Sequence, residues 1–288
     1  MPDLQDRGLS SEGSGRTAAD YRPVSPWLAI TPSVSVVIPA KNEARNLPYV
    51  LATLPQWVDE IVLVDGHSVD GTAEVALQMN PDVKVVRQRG RGKGDALLAG
   101  FAACTGDIIV TIDADGSTDG AEIVQFVGAL VTGADFAKGS RFAAGGGSDD
   151  ITLVRRWGNR VLISLVNWVF KTRYTDLCYG YNAFWARHLE DLALDCTGFE
   201  VETLMNVRAA KAGLTVQEVP SQEHPRMEGA SNLNAVGDGW RILKLIMREW
   251  LAGRTSAPSR VIPLRPATAP VIESALGLVA DADQEDSG

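Results

Sequence analysis

Apolar residues along this chain fall into short β-branched runs separated by stretches with helical spacing. Val34-Ser35-Val36-Val37-Ile38 is a run of the kind that is buried on both faces in a parallel sheet. A helix is expected from Asn46, with Asn46 as its cap and Pro48 in the first turn, where the missing N–H costs little. The alternation then repeats, with strands over 60–64, 83–87 and 107–112 and helices over 71–79, 93–104 and 119–131. Four rounds of strand and helix imply a doubly wound sheet with right-handed crossovers.

Beyond Gly139 the alternation loosens. The spacing predicts a helix over 154–170, an irregular stretch to Asn182 and a helix over 199–212 closed by Gly213. A strand over 214–219 and a last helix over 233–251 follow. Residues 1–26 are rich in Ser, Gly, Asp and Arg without apolar periodicity and read as a disordered tail. Residues 253–288 start polar and end in an acidic run over 281–286, which reads as a flexible acidic tail. The expected fold is α/β: a doubly wound, mainly parallel sheet flanked by helices, in a single domain over 27–252.

The formal net charge of −9 argues against a general nucleic-acid binder, which carries a basic excess. An acidic protein that handles phosphates needs a local cation or a metal. The three cysteines, Cys104, Cys178 and Cys196, form no C-x-x-C pair, so a reducing, cytoplasmic setting is expected. No basic region followed by an apolar stretch opens the chain, and no run of 18 apolar residues occurs. Any membrane contact is therefore expected to be peripheral.

Chemistry concentrates at three strand ends: Pro39-Ala40-Lys41-Asn42-Glu43, Asp65-Gly66-His67-Ser68 and Asp113-Ala114-Asp115-Gly116. Ligands of such sheets bind beyond the carboxyl ends of the strands, so the three point to one site. Asp113 and Asp115 offer hard oxygen ligands to Mg2+ or Mn2+, and such an ion can bridge diphosphate oxygens. The plain alternative is a solvated Asp turn before the helix over 119–131. Asp65 is placed to accept hydrogen bonds from a nucleobase, whereas Asp70 reads as a helix cap and His67 as a turn residue. Gly92-Lys93-Gly94 at a helix start suits anion binding through backbone N–H groups, although it is neither a Walker loop nor a dinucleotide fingerprint.

From Val34 to about Leu251 the chain resembles family 2 glycosyltransferases of the GT-A fold, and among them the dolichyl- and polyprenyl-phosphate sugar synthases. The resemblance rests on residues 36–43, Val64-Asp65 with residues 68–72, Gly92-Lys93-Gly94, Asp113-Ala114-Asp115 and Gly139-Ser140-Arg141-Phe142. It continues through Asp176 with residues 180–184, and Arg226 with residues 229–233. It implies that Pro39, Ala40, Glu43 and Asp65 line the nucleoside with Lys93 nearby, and that Asp113 and Asp115 hold the ribose side and the metal. It implies phosphate-facing roles for Arg141 and Arg226, a substrate contact for Ser231, and a catalytic group of Asp115, Arg141, Asp176 and Arg226. Ser117 stands where many relatives carry Gln, which makes His224 a candidate third metal ligand; the alternative is a loop histidine beside Pro225.

The expected activity is metal-dependent, inverting transfer of a hexose from a UDP- or GDP-linked sugar to a polyprenyl phosphate. The same donor chemistry with a soluble acceptor, a phosphorylated small molecule or a natural-product hydroxyl, is the alternative. For a hydroxyl acceptor, Asp176, Glu200 and Glu202 are candidate bases. A nucleotidyltransferase would carry a Gly-rich, Arg-containing loop after the first strand, where this chain has Pro-Ala-Lys-Asn-Glu. A non-catalytic sugar-nucleotide-binding protein would leave the acidic pair unexplained. Apolar stripes beside cations in the helices over 154–170 and 233–251 suit the interface of an anionic membrane, or else pack on the sheet as core.

Overall fold

The valine-rich strand β1 (Val34–Ala40) is buried along nearly its whole length, as a strand covered on both faces must be. The computed structural model describes residues 31–229 and 235–253, and the two expected tails lie outside them apart from Gly253. After β1 come α1 (Leu47–Thr53), β2 (Glu60–Asp65), α2 (Thr72–Met79), β3 (Lys84–Arg87), α3 (Lys93–Ala103) and β4 (Ile108–Thr111). A short 3-10 turn capped by the Asp119 side chain leads into α4 (Ile123–Val131). The later half holds β5 (Phe136–Ser140), β6 (Gly147–Ser148), α5 (Leu153–Phe170), β7 (Asn182–Trp185) and α6 (Leu189–Leu192). It ends with α7 (Val201–Ala212), β8 (Val216–Pro220), β9 (Gln222–Glu223) and α8 (Ala235–Leu251).

Among the described residues seven strands form one sheet in the order β3-β2-β1-β4-β7-β5-β8. All neighbours are parallel except β7, which runs antiparallel to both β4 and β5. The mainly parallel, doubly wound sheet is thus as expected, but β5 and β7 lie where the sequence pattern shows no strand. Parallel pairing brings the carboxyl ends of β1, β2 and β4 to one edge, with Ala40 opposite Asp65 and Val37 opposite Thr111.

Apolar clusters cover both faces of the sheet. One includes Val36, Ile38, Leu63, Phe126 and Tyr181, with the Phe126 and Tyr181 rings stacked at 4.3 Å. The other includes Val37, Val64, Phe101, Phe136 and Phe184. Gly100 lets α3 lie close on this second face, since a Cβ there would come within 2.4 Å of Val37 Cγ1. A third cluster joins α5, α7 and α8 through Ile163, Val166, Val207, Ile242 and Ile246.

One expected cap is corrected. Asn46 stands at the start of α1, but its side chain makes no capping bond. It donates instead to Glu43 Oε2 at 2.6 Å and to the Glu228 carbonyl at 3.1 Å.

Candidate active site

The ends of β1 and β4 open into a cavity of about 890 Å3. Pro39, Ala40, Glu43, Lys93, Asp113, Asp115, Arg141 and Arg226 all line it, so eight of the expected site residues are brought together. Ala114 between the two aspartates is buried, which turns both carboxylates to the same side of the loop.

Each carboxylate has its own partners. Asp113 Oδ1 lies 2.5 Å from Lys93 Nζ, which also reaches Glu202 Oε1 at 2.6 Å. Burial alone would lower the Lys93 ammonium, but Asp113 and Glu202 outweigh it and hold its pKa above the ordinary value. Burial pushes the Glu202 carboxyl up, against the pull of Lys93. Gly180 is required beside this pair, because a Cβ there would sit 2.6 Å from Asp113 Oδ2 and 2.7 Å from Lys93 Nζ. Asp115 Oδ1 accepts from the Ser117 amide at 3.0 Å and hydroxyl at 2.7 Å. Its Oδ2 meets Arg226 Nη2 at 3.0 Å, and Arg226 Nη1 donates to Glu43 Oε1 at 2.8 Å.

Arg141, at the end of β5, is held from two sides. Its Nε and Nη2 donate to Asp176 at 2.7 and 3.0 Å, and Nη1 lies 3.1 Å from both oxygens of Glu223. Asn159 from α5 donates to Asp176 Oδ1 at 2.9 Å. Burial would raise the Asp176 carboxyl, but the Arg141 guanidinium outweighs it and holds the pKa well below the usual carboxylate range. Asp176 is 0% exposed and does not line the cavity, so the structure places it behind Arg141 and not at the wall where a catalytic group or base was expected.

Three further expected features are placed differently, and a fourth residue cannot be compared. Asp65 is not part of the cavity wall; its Oδ1 accepts from the Ser68 amide at 3.0 Å, and the neighbouring Gly66 lines the cavity. The first amides of α3 do not wait for an anion, because the Thr197 carbonyl accepts from Gly94 at 2.9 Å. His224 is exposed, and among the described residues no three His, Cys, Asp or Glu side chains are gathered to hold a metal. Ser231 lies outside the described residues. Asp70, expected as a helix cap, stands one residue before the cap position of α2, which Gly71 holds, and accepts from Thr72 N and Oγ1.

The donor set still fits a hard divalent ion. Asp113 and Asp115 supply carboxylate oxygens at the cavity wall, and Mg2+ characteristically completes its shell with waters and substrate phosphates instead of a full protein cage. Glu223 and Asn159 were missed by sequence reasoning. Glu223 stands in the same stretch as Arg226, which was the available signal, while Asn159 sits inside an apolar helix and gave none.

Ile151, Val154, Leu162 and Ile242 also line the cavity, together with Asp150, Arg155 and Asp238. Trp157, Val161 and Trp168 of α5 and Trp240, Trp250 and Leu251 of α8 are exposed. Ile163, Val166 and Ile246 face inward instead, so each helix divides its apolar residues between core and surface. No helix among the described residues is long and apolar enough to cross a membrane.

Comparison with known proteins agrees with this geometry. The family model for glycosyl transferase family 2 matches residues 35–203. The polyprenol monophosphomannose synthase of Mycolicibacterium smegmatis is 30% identical over 275 residues, covering 88% of this chain and 98% of that protein. Glycosyltransferase AglJ of Haloferax volcanii is 30% identical over 210 residues, covering 72% and 68%. Among solved structures, glucosyl-3-phosphoglycerate synthase from Mycobacterium tuberculosis, in complex with Mn2+, UDP and glucosyl-3-phosphoglycerate, superposes with a TM-score of 0.62. At 24% identity, covering 76% of this chain and 80% of that one, it shares the GT-A fold. With a sheet of that fold, an acidic pair at the end of β4 and a family match that covers the acidic pair and all of the sheet's strands but β8, the chain belongs to glycosyl transferase family 2.

Proposed function

We propose that the protein transfers a hexose from a UDP- or GDP-linked sugar to a polyprenyl phosphate, with inversion and with Mg2+ or Mn2+. The observation that carries this reading is one cavity lined both by charged groups, Asp113, Asp115, Lys93, Arg141 and Arg226, and by the apolar side chains of Ile151, Val154, Leu162 and Ile242, among which stand Asp150, Arg155 and Asp238. A charged donor and an acceptor with an apolar tail fit such a cavity. The name of the mycobacterial relative, a polyprenol monophosphomannose synthase, supports the same acceptor class.

Asp115, with Asp113, would hold the metal, which supplies Lewis-acid stabilisation of the departing diphosphate. Pro39 and Ala40 would wall the nucleoside, and Lys93 fixes the position of Asp113. Arg226 offers a planar, permanently charged fork to phosphate oxygens, and Arg141 orients the acceptor. A phosphate acceptor is anionic near neutral pH, so its attack on the anomeric carbon requires no general base.

A hydroxyl acceptor is the second reading. It is favoured by Glu202, a buried cavity-lining carboxyl whose pKa is raised by burial, as suits a general base. Incubation with labelled sugar nucleotides and polyprenyl phosphate, followed by separation of butanol-soluble from aqueous product, tests both. Label in the organic phase is expected; label confined to the aqueous phase, with a soluble acceptor, would favour the second reading.

A further inference from the structure

Two oppositely charged side chains on one short stretch of chain, Glu223 and Arg226, line the cavity. Arg226 places its guanidinium between Glu43 and Asp115, at 2.8 and 3.0 Å. Three residues earlier, Glu223 places its carboxylate 3.1 Å from Arg141 Nη1. The stretch that carries them is tied to the acidic loop, with the His224 amide donating to the Ser117 carbonyl at 2.8 Å and the Met227 amide to the Asp115 carbonyl at 3.3 Å. Glu223 also accepts from the Ser148 hydroxyl across the β6–β9 pairing.

The two pairings have the charge pattern of a bound substrate. A divalent cation at Asp115 needs the oxygen that Arg226 holds, and an anion on the cavity side of Arg141 needs the N–H groups that Glu223 holds. Asp176, the other partner of Arg141, is fully buried and cannot give way. Glu223 is 16% exposed and Arg226 20%, and both line the cavity. We propose that Glu223 and Arg226 are the enzyme's own stand-ins, Glu223 for the acceptor's anion and Arg226 for the donor's divalent cation. Because one stretch carries both, a cation arriving at Asp115 releases Arg226, moves Glu223 off Arg141 and opens the anion seat. Linkage makes the effect reciprocal, so an anion at Arg141 favours the cation at Asp115. The proposal rests on the reading of an anionic acceptor and a metal-bound donor, and it adds how the two are coupled.

The test uses the full chain without nucleotide, sugar or lipid. Mn2+ binding is followed by electron paramagnetic resonance, and inorganic phosphate binding by calorimetry with and without Mg2+. Arg226→Gln is expected to bind Mn2+ about tenfold more tightly, the scale of one charge-assisted contact removed. Glu223→Gln is expected to bind phosphate about tenfold more tightly, with an affinity that no longer responds to Mg2+ as the wild type's does. Amide exchange at His224 and Met227 in the wild type is expected to speed up when Mn2+ binds. Unchanged affinities in both variants would overturn the proposal. If the variants do not fold, exchange at those two amides that is unaffected by saturating Mn2+ overturns it by itself. Loss of transfer to polyprenyl phosphate would count against the proposed acceptor and leave these measurements standing.

Discussion

Arg141 and Asp176 are joined by two parallel N–H to oxygen contacts of 2.7 and 3.0 Å, in a place where the carboxylate sees no solvent. Removing one partner of a buried pair strands the other, at a cost of about 3–5 kcal/mol. Glu223 remains on the far side of Arg141, so Asp176→Ala should fall at the lower end of that range. Urea unfolding measures it. A loss below about 1 kcal/mol, typical of exposed pairs, would mean the pair is solvated in solution.

Gly180→Ala separates positioning from folding. The added methyl would press on Asp113 Oδ2 and Lys93 Nζ at the cavity wall. Misplacing a site group by about 1 Å can reduce turnover about 100-fold. That scale is expected for kcat, with little change in melting temperature because Lys93 ends a flexible side chain. Normal turnover in Gly180→Ala would show that the position of Asp113 does not matter.

How much of this was legible in the sequence depended on where each residue's partners lie. The strands up to β4 and the loop of Asp113 and Asp115 could be read because β-branched runs and turn residues are local signals. Strand β5 could not: its Lys138 is 0% exposed and finds its partner in Glu218, 3.5 Å away on β8. Locally such a stretch reads as polar. The pairing of Arg141 with Glu223 joins positions 82 apart through the two-residue strands β6 and β9, too short to show a period. Asp176 was expected at the site, but its burial behind Arg141 depends on partners at positions 141 and 159, which its own local sequence does not show.

Metal dependence has a sharp signature. In excess EDTA, turnover is expected to vanish. Asp115→Ala should lose about 100- to 1000-fold in kcat, the range seen when charge stabilisation of a transition state is removed, while nucleotide binding weakens far less. Full turnover in EDTA would remove the ion from the mechanism.

Acid stability should depend on Glu249, which is 4% exposed and meets Arg208, Lys211 and Arg248 where α8 packs on α7. Burial would raise its pKa, but the Arg208 and Lys211 contacts outweigh this and bring it from 4.5 down to about 2. A depressed carboxyl stabilises the fold fully above its unfolded pKa and loses that contribution as pH falls through the folded one. The wild type should therefore lose stability between about pH 4.5 and pH 2 more steeply than Glu249→Gln. Asp176 is also depressed and titrates in both proteins, so the difference between the two curves isolates Glu249. Parallel curves from denaturant titrations across that range would refute the assignment.

Peripheral membrane attachment is expected through the outer faces of α5 and α8. Trp168 is 77% exposed and Leu251 76%, and Trp157, Trp240 and Trp250 are also largely uncovered. Arg156, Arg160, Arg241, Lys244 and Arg248 share these helices and are exposed too. Large aromatic side chains interleaved with cations suit the headgroup boundary of an anionic bilayer, where the rings enter the acyl edge and the cations meet phosphate. The same two helices supply Val154, Leu162 and Ile242 to the cavity lining, so the exposed faces and the cavity share their helices. Purified protein should float with liposomes containing anionic lipid at low salt and detach as salt screens the cations. Trp168→Ala combined with Trp250→Ala should weaken flotation while leaving the melting temperature close to wild type, because neither ring is part of the core. If no protein rises at low salt, with or without polyprenyl phosphate in the vesicles, attachment by these helices fails, and a soluble acceptor becomes the better reading of the cavity.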